Sequence, residues 1–475
     1  MAAEPSTPAA SSPSVPARSP GPSVQDYLDD DSRPVPGVLR VDVNEPLGSQ
    51  DISVDRYVSR AWHDAEVEKV WRKAWQFACR TDQLPEVGDH VLYEVAGDSL
   101  IVMRTGPDEI RAYFNACLHR GRKLRGQGGH VSELRCPFHS FAWNLDGSVK
   151  DIPCVWDFSH VKPEEFHLPQ ARVGTWEGFV FVNPDPDAEP FEDYVATLAA
   201  ECERWPMADR TIYFHVAAEI ACNWKVALEA FIESFHVIGT HPQLMPWMAD
   251  ANSQYDVRAG EPWSRAITVQ GAPSPHVADG LTEQDVLDSY YETRAFYGAA
   301  VGRDLTTPDG GEPQVPEGGT ARRVLADQLR EQLEGAFGRS FAHFTDSELL
   351  DAIQYFLFPN FCVFVGARTN AVYRFLPAGN DPDRCIAEVV LLAPEPGPGQ
   401  ERPKPPPVRW LRPGENFADI TELGLLGPVF DQDYFNLPYL QEGLHTTRKP
   451  GITLANYQES RIRHFHRLLE QWLER

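Results

Sequence analysis

The sequence predicts an α+β protein in which a small antiparallel β domain precedes a larger domain of alternating helices and strands. Short alternating segments cluster between residues 85 and 185, and helix-period and strand-period stretches alternate from 186 to 475. A chain of 475 residues also exceeds what one ordinary core holds. With 42% apolar and 11% aromatic residues, it carries the material for more than one core.

Taken in order, residues 1–37 are rich in Pro, Ser and Ala and offer almost nothing to bury, so a disordered tail is expected. In "VDRYVSRAWHDAEVEKVWRKAW" the apolar positions Tyr57, Ala61, Val67, Val70, Trp71 and Trp75 recur at helical spacing. Residues 38–84 therefore read as a helical segment, one helix or two short ones, packed on the larger domain. The segments "HVLYEVAG", "SLIVMRTG", "IRAYFNA" and "GFVFVNP", divided by Gly, Pro and Asp, are strands of the β domain, and "NLDG" marks a hairpin turn. Beyond residue 186, "FEDYVATLAAECERW", "DVLDSYYETRAFYGAA", "ARRVLADQLREQLEGAF" and "QESRIRHFHRLLEQWL" read as helices. "RTIYFHVAAEIACNW", "NFCVFVGARTNAVYRFLP" and "RCIAEVVLLAP" read as strands, and the Pro-rich "APEPGPGQERPKPPPVRW" as a surface connector.

Acidic residues outnumber basic ones 69 to 43, and a formal charge of −26 repels a phosphate backbone, so nucleic acid is excluded as a partner. No run of eighteen apolar residues appears, and the first residues lack the basic and apolar regions of a secretory signal. A cytoplasmic chain without membrane association is expected. The eight cysteines are scattered, which favours reduced thiols or metal ligands over a disulfide framework.

Two constellations carry chemistry. In "CLHRGRKLRGQGGHVSELRCPFHSFAW", Cys117 and His119 form a CxH pair and Cys136 and His139 a CxxH pair, each among turn formers. A structural zinc site or four unrelated residues are the plain alternatives. Zinc fingers, however, pair two Cys and then two His, whereas each pair here is mixed. A [2Fe–2S] centre with two Cys on one iron and two His on the other suits two loops that each offer one of both. In "NWKVALEAFIESFHVIGTHPQL", Glu233 and His236 are three apart and would share a helix face. Gly239, Thr240 and Pro242 can break the helix so that His241 converges with His236 on one metal. Two imidazoles and a carboxylate with open positions opposite suit non-haem Fe(II).

With both constellations, and with "WQFACRTDQLPEVGDHVLYEV", "NWK", "FPNF" and "YRFLP" around them, residues 55–470 resemble the α subunit of Rieske non-haem iron oxygenases, the aromatic-ring-hydroxylating family. The resemblance implies a Rieske domain followed by a helix-grip domain. It implies Cys117, His119, Cys136 and His139 as cluster ligands, and His236 and His241 with an Asp as ligands of a mononuclear iron. Gln441, Gly443 and Leu444 point back to Asp433 as that Asp, with Asp431 as the alternative. Glu233 stands where the family more often has Asp, a carboxylate that couples the iron site to the Rieske histidine of a neighbouring subunit. The resemblance further implies O2 as cosubstrate, electrons from NAD(P)H arriving only through a ferredoxin or ferredoxin reductase, and a head-to-tail homotrimer. No strand followed by GxGxxG appears, which fits an external reductase. Arg120, Arg122, Lys123 and Arg125 form a basic collar suited to an acidic ferredoxin or to packing within the loops. Phe235, Met248, Phe296, Phe356 and Phe361 are candidates to line an apolar cavity for an apolar substrate, an aromatic one among them. Hydroxylation, dihydroxylation and oxidative demethylation share such a site. A Rieske electron carrier and a substrate-binding module without catalytic iron are the competing classes.

Overall fold

The computed structural model describes residues 18–300, 313–367, 370–394 and 402–475. The expected tail is corrected from residue 18 onward, while its first 17 residues lie outside the described ones. Helix α1, Val24–Asp29, opens with Ser23 and Asp26 in a reciprocal cap. Val24, Leu28 and Leu39 are buried against the strands of the larger domain. Three well-placed apolar residues suffice to seat this segment, although its average composition resembles a solvated tail.

Two short helices follow, Asp55–Val58 and then α2, Arg60–Glu66, which runs on through a wider turn to Trp71. Trp71 packs edge-on against Trp224 at 4.9 Å, and the Glu66 carboxylate accepts from the Trp224 indole and pairs with Lys225 at 2.7 Å. The segment is thus fixed on the larger domain.

The first sheet begins earlier than the alternation suggests. Strand β1, Gln76–Arg80, is its edge, followed by β2 (Asp89–Val95), β3 (Asp98–Gly106), β4 (Glu109–Phe114), β5 (Gln170–Trp176) and β6 (Phe179–Asn183). The spatial order is β1-β6-β5-β4-β3-β2, closed by the two-residue strand Gly129–His130. Between β4 and β5 the chain leaves the sheet for a small three-stranded unit, Leu134–Arg135, Ala142–Trp143 and Val149–Asp151, whose hairpin turns at Asn144–Gly147 as the "NLDG" signal predicts.

Helix α3, Phe191–Cys202, leads into the second sheet. Its strands are β7 (Arg210–Ile220), β8 (Met248–Val257), β9 (Trp263–Gln270), β10 (Ala352–Leu357), β11 (Phe361–Val365), β12 (Asn370–Pro377), β13 (Cys385–Pro394) and β14 (Arg409–Trp410). They run in the order β8-β9-β10-β11-β12-β13-β7-β14, antiparallel except for β14. Around this sheet lie α4 (Trp224–Ala230), α5 (Val237–Thr240), α6 (Glu283–Ala300), α7 (Ala321–Phe337), α8 (Asp346–Leu350), α9 (Leu426–Thr446) and α10 (Ser460–Glu474). Among the described residues no helix is long and apolar enough to cross a membrane.

The two sheets meet through specific bonds. Asn360 accepts from the Phe77 amide at 3.0 Å, and Arg374 donates to the Phe77 carbonyl at 3.0 Å while pairing with Glu388 at 2.6 Å. Phe361 packs on Phe77, Phe179 and Phe181, so it belongs to this junction and not to a cavity.

Candidate metal centres

The two Cys/His loops are built alike. In each, the residue four beyond the cysteine donates its N–H back to the cysteine carbonyl, Gly121 to Cys117 at 2.8 Å and Ser140 to Cys136 at 3.0 Å. Both adopt positive φ, 75° and 64°, which tightens the turn and brings the histidine beside the cysteine. Cys117 and Cys136 are buried and hydrogen-bonded to each other, and the rings of His119 and His139 lie 4.7 Å apart, each partly open to solvent. Burial pushes the Cys117 thiol up. At Cys136 burial is outweighed by the N–H groups of Phe138 and His139, which favour a thiolate and hold the thiol below its usual range. His119 stacks on Phe141 at 4.7 Å, fixing its plane. Paired sulfurs inside and paired imidazoles outside fit a [2Fe–2S] group with two unlike irons. Of the basic collar, Lys123 pairs with Glu94 and Arg125 donates to His90, whereas Arg120 lies over Phe138.

The second site departs from the expected helix. Glu233 and His236 do not share a helix face, because α4 stops at Ala230 and α5 starts only at Val237. Buried side chains hold the freed backbone. Gln354 donates to the Phe231 carbonyl at 2.7 Å, Arg461 to the Ile232 carbonyl at 3.0 Å, and Tyr255 accepts from the Ser234 amide at 3.0 Å. Glu233 then acts as a local cap. It accepts from the amides of Phe235 and His236, and its other oxygen accepts from His236 Nδ1 at 2.6 Å. The second break falls where expected, with His241 ending α5 and Pro242 opening a 3₁₀ turn.

His236, His241 and Asp433 converge, their ligand atoms all within 4.8 Å of one another. Asp433 Oδ1 lies 2.7 Å from His241 Nε2 and 3.5 Å from His236 Nε2. Burial works against a charge on His236, but Glu233 and then Asp433 outweigh it and push the ring up to about 9. Asp431 points elsewhere, its two oxygens accepting from the amides of Phe417 and Ala418 at 2.7 and 3.0 Å. It caps a neighbouring turn and is not in the constellation. Helix α9 runs unbroken through Pro438, and Gln441 near its end accepts from the Asn223 amide at 2.9 Å, tying the start of α4 to the helix that carries Asp433.

Sequence reasoning missed the residues behind His241. Gln432 Oε1 accepts from His241 Nδ1 at 2.8 Å, and is itself held by Gln243 Nε2 at 2.8 Å and the Tyr297 hydroxyl at 3.2 Å. The acceptor on Nδ1 selects the tautomer that leaves Nε2 free for a metal. Tyr290, Arg294 and Tyr297 recur at helical spacing, a signal that could have marked one functional face of α6.

A cavity of about 640 Å³ lies between the sheet and helices α6 and α7, walled by Tyr290, Tyr291, Arg294, Phe364, Tyr373 and Leu426 among others. None of the five aromatic or Met candidates lines it. Phe356 and Phe361 are buried in the core, Phe356 against Phe465. Phe235 and Phe296 are exposed, the latter by 68%, and Met248 packs beside Trp247 and its cluster. The alternation of a strand shows which residues share a face but not which face meets the cavity.

The sequence profile of the Rieske [2Fe-2S] domain matches residues 74–162, and that of the ring hydroxylating alpha subunit (catalytic domain) matches residues 200–475. The carnitine monooxygenase oxygenase subunit of Escherichia coli is 29% identical over 189 residues, covering 39% of this chain and 50% of that protein. The biphenyl 2,3-dioxygenase subunit alpha of Rhodococcus jostii is 28% identical over 242 residues, covering 49% and 52%. The matched stretches thus span about half the length of these relatives. A quaternary ammonium Rieske monooxygenase solved with L-carnitine superposes with a TM-score of 0.61 at 16% identity, over 89% of this chain and 95% of that one. Naphthalene 1,2-dioxygenase from a Rhodococcus species, solved with indole, gives 0.59 at 19% identity, over 89% and 94%. At these identities the superpositions establish the fold, and the profile over residues 200–475, more than half of the sequence, establishes that the chain belongs to the ring-hydroxylating alpha-subunit family.

Proposed function

We propose that this chain is the oxygenase component of a multicomponent system. It takes electrons from a ferredoxin or ferredoxin reductase and oxygenates a small molecule with an apolar body, by hydroxylation, dihydroxylation or oxidative demethylation. The observation that carries this reading is the convergence of His236, His241 and Asp433 in the chain that also bears the Cys117/His119 and Cys136/His139 loops. When bound, a [2Fe–2S] cluster supplies single electrons and a ferrous ion supplies O2 chemistry. The chain's own residues do the rest. Glu233 and Gln432 orient the two imidazoles, and Tyr290, Phe364 and Tyr373 give the cavity between the sheet and α6 apolar surface. An electron carrier would have no use for the second constellation, and this favours the oxygenase over the carrier.

Two exposed apolar patches support a head-to-tail homotrimer. Phe138 (58% exposed), Val155 and Trp156 (78%) lie by the Rieske loops, while Phe235, Ile238, Phe435 (67%), Tyr439 and Leu440 are exposed on the two segments that carry the triad, residues 233–241 and α9. Different patches on one chain are what a heterologous, ring-closing contact requires. A cytoplasmic location belongs with this reading, because thiolate ligands and a reducing partner persist there. Arg120 and Arg122 are the collar residues left to meet an acidic redox partner.

Anaerobic purification followed by iron and sulfide assay tests the reading. The expected result is about three irons and two sulfides per chain, with oxygen uptake on apolar compounds when a surrogate reductase is added. About two irons and no oxygen uptake with any compound would leave the electron carrier in its place.

A further inference from the structure

The cavity between the sheet and helices α6 and α7 carries, among the described residues, an unbalanced charge. Two carboxylates stand in its wall, and each is neutralised from behind. Glu348 is held by Arg204 at 2.9 and 3.2 Å, and Asp351 by Arg322 at 2.6 and 2.8 Å. Arg294 also lines the cavity, yet among the described residues no carboxylate pairs with it. Its hydrogen bond is to the Tyr290 hydroxyl at 3.4 Å, and its guanidinium lies 5.5 Å from the centre of the Tyr290 ring. Stacking on that ring holds the planar fork ready without neutralising it.

Two chains of contacts link the cavity to the triad. On the sheet side Tyr373 packs against Phe430, one turn before Asp433 in α9. On the helix side Tyr297, one turn beyond Arg294 in α6, donates to Gln432, which holds His241. A ligand spanning from Arg294 to Tyr373 would place its far end toward the metal ligands.

We propose that Arg294 anchors a carboxylate of the substrate, so that this oxygenase acts on small organic acids with an apolar, ring-sized body. A guanidinium meets a carboxylate with two parallel hydrogen bonds, and the walls formed by Leu325, Leu329 and Phe364 take the body. A ligand whose only charge is a quaternary ammonium is disfavoured, because Arg294 already occupies the Tyr290 face that would receive it. The inference rests on the oxygenase reading of the same site.

Calorimetry on the purified holoenzyme with 4-methylbenzoate, 4-methylbenzamide and benzyltrimethylammonium tests it, beside iron assay of the same samples. The acid is expected to bind about tenfold or more tighter than the amide. Arg294→Gln is expected to abolish that difference while leaving affinity for the amide, iron content and cluster absorbance unchanged, and Arg294→Lys to keep part of it. Equal affinity for acid and amide, tighter binding of the ammonium, binding of none of the three, or an unchanged ratio in Arg294→Gln overturns the assignment. Loss of the oxygenase reading shows separately, as iron missing from the triad in a protein that still prefers the acid.

Discussion

Glu233 performs two tasks with one side chain. One oxygen caps the turn that begins at Phe235, and the other fixes His236 through Nδ1. The cap can be kept by an amide oxygen, whereas the carboxylate's hold on the Nδ1 proton, which orients and polarises the ring, cannot. Glu233→Gln is therefore expected to lower turnover by about 10- to 100-fold, with iron and cluster content measured at parental levels. The two aspartates of α9 separate in the same assay. Asp433→Ala should lose the triad iron and all oxygen uptake, while Asp431→Ala should keep both and lose about 1–3 kcal/mol of stability, because the Phe417 and Ala418 amides lose their acceptor. The candidate donors CxH, CxxH and the two histidines around Gly239 were legible in the sequence because each pair is local, whereas Asp433, 192 residues from His241, was reached only through the family resemblance. Gln432 was not, since its meeting with His241 spans 191 residues and exists only in the fold. Arg294 was hidden for a related reason, as a charge without a carboxylate partner among the described residues is visible only once the other cavity charges have found theirs.

Among the elements, strands were the easier to read. Alternation and Gly/Asp punctuation placed the first-sheet strands, and the "NLDG" hairpin turned where it should. Helix limits were harder. "LEAFIESFH" keeps a helical pattern, yet Gln354, Tyr255 and Arg461 take up the backbone groups of residues 231–234 and end the helix at Ala230. The N-terminal helix was missed because composition averages over the few residues that bury it. Between the sheets, Glu388 joins Arg374 and His215 in a buried cluster that also grips the Phe77 carbonyl. Burial raises the Glu388 carboxyl, but Arg374 and His215 outweigh it and bring it from 4.5 to about 2. Because the folded pKa is depressed, its stabilisation is full above pH 4.5 and is lost as pH falls toward 2. Glu388→Gln should lose about 3–5 kcal/mol at neutral pH. Its unfolding free energy, followed by denaturant titration, should then decline less steeply than the parent's between pH 4.5 and 2.

For the whole molecule, the Rieske loops and the triad are each flanked by exposed apolar side chains, an arrangement that makes sense when one protomer's loops meet the next protomer's triad. Glu233 would then stand between the His236 of its own chain and a loop histidine of the neighbour. Trp156→Glu is expected to shift the protein toward monomer in sedimentation and to abolish turnover with both metal contents intact. The most direct test combines two inactive chains, one carrying His119→Ala and His139→Ala, the other Asp433→Ala. The randomly mixed sample, with composition checked by mass, should regain about a quarter of parental turnover, since random mixing in a ring joins an intact cluster to a neighbouring intact triad at one junction in four. Mixed assemblies as inactive as either parent would contradict transfer between chains.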